Sequence, residues 1–115
     1  MERMGRLRKG AEFDSVYREG TVVSGPFVVL RVRANEVGFP RWGFAVGKRL
    51  VKGAVGRNRL RRRLREAARG LAPGRGYDIV VTARQGAVGA PFLVLEGALR
   101  GGLERAGVEV RREGA

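Results

Sequence analysis

A chain of 115 residues with 43% apolar content fits one globular domain that can bury a core of its own. Its 24 Lys and Arg against 11 Asp and Glu leave a net charge of +13, and the self-repulsion this causes in a compact state points to a polyanionic partner. The absence of Cys and His excludes disulfides, thiolate metal sites, imidazole ligands and imidazole bases.

Among the 24 basic residues only Lys9, Lys48 and Lys52 are Lys; the other 21 are Arg. Arg grips phosphate with a planar fork and stacks on bases, although a compositional bias of the genome would produce the same skew. No apolar run approaches the 18 residues of a membrane span. The first residues lack the apolar segment of a secretory signal, so a cytoplasmic location is expected.

Residues 1–10 are basic and Gly-containing, the composition of a loose arm. Phe13, Val16 and Tyr17 then recur at i, i+3 and i+4, which predicts an amphipathic helix over residues 11–19, stopped by Gly20. Val22 and Val23, and then residues 27–33 (FVVLRVR), are rich in β-branched residues and predict strands. In the second strand Val28, Leu30 and Val32 share one face, and Val29, Arg31 and Arg33 share the other. Residues 35–40 read as a turn. Residues 41–47 (RWGFAVG) read as a strand with Trp42, Phe44 and Val46 on one side and only Gly43, Ala45 and Gly47 on the other. That second face is bare enough for another group to pack close to its backbone, and Trp42 and Phe44 read as core.

Residues 48–56 form a loop with Gly and Lys. They do not make a phosphate-binding P-loop, because no Ser or Thr follows a Gly-Lys pair. Residues 58–69 predict a helix with a narrow apolar stripe of Leu60, Leu64, Ala67 and Ala68. Residues 77–83 (YDIVVTA) predict a strand central in its sheet. A last helix follows Pro91, with Phe92, Leu95, Leu99, Leu103 and Ala106 on one side, despite Gly97, Gly101 and Gly102. Helix, two or three strands, helix, strand, helix is the order of one mixed α+β domain spanning residues 1–115.

Seven Arg lie between residues 57 and 69, with Glu66 the sole acid. Arg57/Arg61, Arg59/Arg63, Arg61/Arg65 and Arg65/Arg69 are i, i+4 like-charge pairs, each destabilising an isolated helix by a few tenths of a kcal/mol. A helix selected for stability alone would interleave Glu. A partner's phosphate backbone is the simplest compensation, and anions at the helix N-terminus would relieve the opposition to its dipole. Elsewhere the carboxylates Glu12, Asp14, Glu19, Glu36, Asp78, Glu96 and Glu104 are scattered among several elements, with no pairing that suggests a metal site or an acid/base dyad. Phe13 and Tyr17, one turn apart, read either as core or as a platform on which unpaired bases stack.

Taken in order, these segments resemble the protein subunit of bacterial ribonuclease P. The strongest match is residues 53–67 (GAVGRNRLRRRLREA), which resemble the family's Arg-Asn-Arg signature opening a basic helix. Arg6, Leu7, Glu12, Phe13, Val16, Tyr17 and Gly20 resemble its first helix; residues 27–30, residues 43–46 with Lys48 and Arg49, and residues 77–84 resemble its strands. The loop between Lys48 and Arg57 is about one residue longer than usual, Gly47 stands where Ser is common, and Leu30 holds a position that is often aromatic.

The resemblance implies a single α+β domain: a mixed, mostly antiparallel sheet of about four strands, three helices and a left-handed βαβ crossover through the Arg-rich helix. It implies a non-catalytic subunit of the ribonucleoprotein that removes the 5′ leader from precursor tRNA. The partners are the catalytic RNA subunit and the leader, with no DNA or membrane. The protein holds no cofactor, and Mg²⁺ belongs to the RNA subunit. Phe13, Tyr17 and Leu30 are assigned by resemblance to a leader cleft. Arg57, Asn58, Arg61 and Arg65 lie near the leader or the RNA subunit, and Lys48, Arg49, Arg59 and Arg62 make further RNA contacts. The alternatives are a ribosomal or other structural RNA-binding protein, then a DNA-binding regulator, whose base readout would need Asn, Gln or Glu among the Arg. A protein-only nuclease is least favoured, for want of His and clustered carboxylates.

Overall fold

The computed structural model describes residues 5–8, 10–74 and 76–112. Its framework is a five-stranded sheet built from β1 (Gly5–Arg6), β2 (Thr21–Ser24), β3 (Val28–Ala34), β4 (Arg41–Ala45) and β6 (Tyr77–Ala83), in the order β1-β4-β6-β3-β2. β5 (Leu71–Ala72) pairs separately with β7 (Arg111–Arg112). The helices are α1 (Ala11–Glu19), α2 (Ala54–Arg69) and α3 (Phe92–Arg105). This is the expected α+β domain, with one strand more than expected in the sheet. β2/β3 and β3/β6 pair antiparallel, the latter over seven residue pairs, whereas β4/β6 and β1/β4 are parallel. β4 and β6 are parallel neighbours joined through α2, which is therefore the crossover helix.

β6 is central as expected, and its near-continuous apolar run follows from cover on both faces. On one face Val28, Leu30, Val32, Ile79 and Val81 bury against Leu60, Leu64, Ala67 and Ala68 of α2 and Leu95, Leu99 and Leu103 of α3. On the other, α1 lies across the strands, with Val16 and Leu7 packed around Val80. Phe92, expected on the buried stripe of α3, stays largely exposed.

Two differences concern the ends of elements. The loose arm expected over residues 1–10 is, at Gly5–Arg6, an edge strand beside Arg41 and Trp42, and Leu7 is buried. Residues 1–4 and 9 of that arm lie outside the described residues. α2 begins at Ala54 rather than residue 58, with Gly53 as a cap that offers no side chain. Val55 and Gly56 are poor helix formers. The turn holds because the Arg57 amide donates to the Gly53 carbonyl at 3.0 Å, while the Arg57 guanidinium donates to the Val51 and Lys52 carbonyls at 2.9 and 2.5 Å.

A buried ionic network ties α1 to the sheet. Asp78 is only 1% exposed. Arg41 donates to both its carboxylate oxygens at 2.8 Å, and the Asn35 amide adds a third bond at 2.8 Å. Arg41 also reaches Glu12 at 3.2 Å, and Glu12 accepts the Arg8 amide at 2.7 Å. The hydrogen bond to Asp78, outweighing desolvation, raises the Arg41 guanidinium above its ordinary pKa. Asp78 and Glu12, scattered in the sequence, thus serve one structural ion cluster.

Candidate nucleic-acid interface

The three strands beneath α1 place Arg31, Val80 and Gly43 side by side on one face. Phe13 lies on Gly43 so closely that a Cβ there would collide with its ring. The bare face of β4 is therefore the seat of Phe13. One turn on, Tyr17 is 45% exposed, with the Arg31 guanidinium over its ring at 4.7 Å from the centroid.

β1 covers β4 only at Arg41 and Trp42, where the Leu7 amide donates to the Trp42 carbonyl at 3.0 Å. Past that point no strand among the described residues covers the outer edge of β4. The result is a groove of about 950 Å³ between α1 and α2. Phe13 and Tyr17 form one wall, and Gly43, Ala45, Gly47 and Thr82 form the floor. Phe44, Arg61 and Arg65 form the opposite wall, and Arg6 and Arg8 close one end. Among the described residues no carboxylate lines it. Phe44, expected as core, is only half-buried: it stacks on Trp42 at 5.9 Å between centroids and carries the Arg65 guanidinium at 5.4 Å.

Arg65 records the charge crowding here. Desolvation, and then the nearby Arg6, Arg69 and Arg61, lower its pKa below the ordinary Arg value against the pull of Glu66. An anion in the groove would relieve that repulsion. Sulfate or phosphate is therefore expected to raise the melting temperature by several degrees over chloride of equal ionic strength. Changing Arg57, Arg61 and Arg65 together to Gln should abolish the advantage. Equivalence of the two salts in the parent would mean screening alone.

The expected site residues divide between two surfaces. Phe13, Tyr17, Arg61 and Arg65 converge on the groove. Lys48 and Arg49, after β4, and Arg59 and Arg62, on the outer side of α2, are exposed outside it. Arg57 turns back onto the preceding loop, and Asn58 accepts the Arg61 guanidinium at 2.5 Å. Leu30 is a correction. It is fully buried on the opposite face of the sheet, beneath α3, where a Cβ on Gly102 would strike its side chain. It cannot line a cleft with Phe13 and Tyr17. Arg31, one residue on, faces them instead. Sequence reasoning also passed over Arg6, Arg8, Phe44 and Thr82 as groove residues; the alternation of β3 put Arg31 opposite Leu30, but nothing local says which face meets α1.

Among the described residues no three carboxylates cluster as a metal site would require, and no helix is long and apolar enough to cross a membrane. A family model for ribonuclease P matches residues 1–107. The ribonuclease P protein component of Symbiobacterium thermophilum is 45% identical over 99% of this chain and 100% of that protein. That of Gluconacetobacter diazotrophicus is 44% identical over 93% of this chain and 95% of that protein. The structure of Staphylococcus aureus RNase P protein matches with a TM-score of 0.75 and 31% identity, covering 90% of this chain and 95% of that one. The RNase P protein from Thermotoga maritima matches with a TM-score of 0.75 and 28% identity, covering 87% and 96%.

Proposed function

Because this chain belongs to the ribonuclease P family, we propose that it is the protein subunit of the ribonucleoprotein that removes the 5′ leader from precursor tRNA. The observation that carries the reading is the groove, with an aromatic wall facing an Arg wall across a floor of small residues. A single strand needs a cationic track for its phosphates and flat rings for its bases. In this reading the leader sets its phosphates toward Arg61 and Arg65 and its bases toward Phe13 and Tyr17. The exposed cations Lys48, Arg49, Arg59 and Arg62 face the RNA subunit, which holds Mg²⁺ and performs the hydrolysis. The protein contributes affinity and position. No observation favours a ribosomal or other structural RNA-binding role.

The test compares precursor and mature tRNA binding to holoenzyme reconstituted with the cognate RNA subunit. Stacking of a base on an aromatic ring is worth about 1–3 kcal/mol. Tyr17→Ala is expected to weaken precursor binding roughly tenfold and leave mature tRNA unaffected. Tyr17 is the better probe, because Phe13 is also packed against the sheet. Arg61→Ala and Arg65→Ala should each reduce the log–log salt slope for precursor by about 0.7, the value for one single-strand phosphate contact. Equal losses for both RNAs with Tyr17→Ala would reject the leader assignment.

A further inference from the structure

The edge of the sheet away from the groove is open. β2 ends the strand order, and no strand among the described residues pairs with its outer side. The Gly25 amide donates to the Val28 carbonyl at 3.1 Å and closes the β2/β3 hairpin. Antiparallel pairs alternate between bonded and non-bonded, so Thr21 and Val23 bond to β3, while Val22 and Ser24 direct their N–H and C=O groups outward. Protected edges carry charge, Pro or a bulge. Residues 21–24 are Thr, Val, Val and Ser, and Val22 is 52% exposed. So short a strand offers a partner few backbone bonds, and the rest of the affinity must come from a side chain.

A receptor for that side chain lies beneath the same hairpin. Val23, Pro26, Phe27 and Leu30 face Gly97 and Gly101 of α3 across a cavity of about 270 Å³, at the low end for small-molecule sites. A Cβ on Gly97 or Gly101 would meet nothing within 4 Å, and neither has a positive φ. Neither packing nor backbone conformation therefore calls for Gly at positions where it weakens the helix, and the cavity stays open because these two lack side chains. Arg105 is the charged residue of the lining, and among the described residues no carboxylate joins it. Its guanidinium lies at the Gly25 turn, where Arg84 donates to the Gly25 carbonyl at 3.3 Å. A residue of an added strand that stands beside Val23 points to this side of the sheet, since paired residues of neighbouring strands share a face.

We propose that the β2 edge and this cavity together dock an extended segment of an acidic protein. The segment adds a strand to β2, seats one apolar side chain in the cavity and sets a carboxylate against Arg105. The cavity shares no lining residue with the groove, so both can be filled at once. A nucleobase suits the cavity poorly, because its polar edge would be buried among apolar side chains without partners. A second copy suits it poorly too, since each chain carries a net charge of +13.

The probe is a short fluorescein-labelled peptide alternating Glu with Phe or Leu, compared by anisotropy with a peptide of the same composition whose Glu residues are contiguous. Binding to the full chain is measured at about 0.15 M salt, where exposed charges are screened beyond roughly 8 Å. The alternating peptide is expected to bind about tenfold more tightly than the block peptide, a difference of one or two hydrogen bonds. Ser24→Pro removes an outward N–H and no bond to β3. Gly101→Leu fills the cavity from a helix position that favours Leu over Gly, so its melting temperature should be no lower than the parent's. Each is expected to weaken the alternating peptide about tenfold, and Arg105→Gln should weaken it several-fold. Precursor cleavage by holoenzyme reconstituted from each variant should match the parent.

Three results overturn the proposal. Equal binding of the two peptides, or binding indifferent to all three substitutions, makes the attraction one of charge alone. Loss of affinity for the RNA subunit in Ser24→Pro and Gly101→Leu makes this face an RNA contact. A parent that sediments as a dimer, with these two variants monomeric, makes the occupant a second copy.

Discussion

Purified free of RNA, the protein is expected to leave precursor tRNA uncut in Mg²⁺ buffer, and addition of the cognate RNA subunit is expected to restore cleavage at the 5′ end. Phosphodiester hydrolysis needs an activated water and a group to carry charge on the leaving oxygen. The chain has no His and no Cys. Among the described residues, four carboxylates around the groove are committed: Asp78 to Arg41 and Asn35, Glu12 to Arg41 and the Arg8 amide, Glu19 to Arg33, Glu66 to Arg69. The groove itself offers arginines, aromatic rings and one Thr, which bind and orient but do not take up a proton at neutral pH. Enzymes accelerate such reactions by at least about 10⁶-fold, so the difference between protein alone and holoenzyme should span the whole assay range. The measurement is gel analysis of 5′-labelled precursor after removal of RNA from the protein under denaturing conditions and refolding. Site-specific 5′ processing by that preparation would place chemistry in the protein and sink the reading.

The second large effect is on folding. Asp78→Ala leaves the Arg41 guanidinium, 20% exposed as a side chain, without its bidentate partner beneath α1. Removing one member of a buried ion pair costs about 3–5 kcal/mol, because the remaining charge is desolvated and uncompensated. Partial exposure of Arg41 and its contact with Glu12 at 3.2 Å favour the lower end. Domains are stable by only about 5–15 kcal/mol, so a loss of about 3 kcal/mol should lower the melting temperature by roughly 10 °C. Asp78→Ala combined with Arg41→Met should recover part of the loss, since both charges are then gone. The check is a thermal melt of the three variants in one sulfate-containing buffer. A double variant no more stable than Asp78→Ala would mean that the cost comes from the Asn35 bond or from packing rather than from the stranded Arg41.

Much of this molecule could be read from local pattern. The spacing of Phe13, Val16 and Tyr17, the Leu60 and Leu64 stripe, the alternation of β3 and the apolar run of β6 each report a period that a helix or a strand imposes on its neighbours. The clustering of seven Arg in residues 57–69 needed no structure to imply a polyanion. Element ends were less legible where propensity and context disagree. α2 starts at Ala54 because Arg57 satisfies carbonyls of the preceding loop, and Gly5–Arg6 became a strand because β4 offered an edge.

What the sequence by itself determined was the inventory: basic helix, aromatic pair, bare strand face, and a chain without His or Cys. Only the tertiary structure decided how these meet. Arg41 and Asp78 are 37 residues apart and become a buried pair through the register of β4 on β6. Phe13 fills the space above Gly43 because α1 crosses that face, and the same crossing leaves Arg31, not Leu30, beside Tyr17. Alternation along a strand says which residues share a face, but the identity of the element that covers the face depends on long-range packing, whose contacts leave no period in the local sequence.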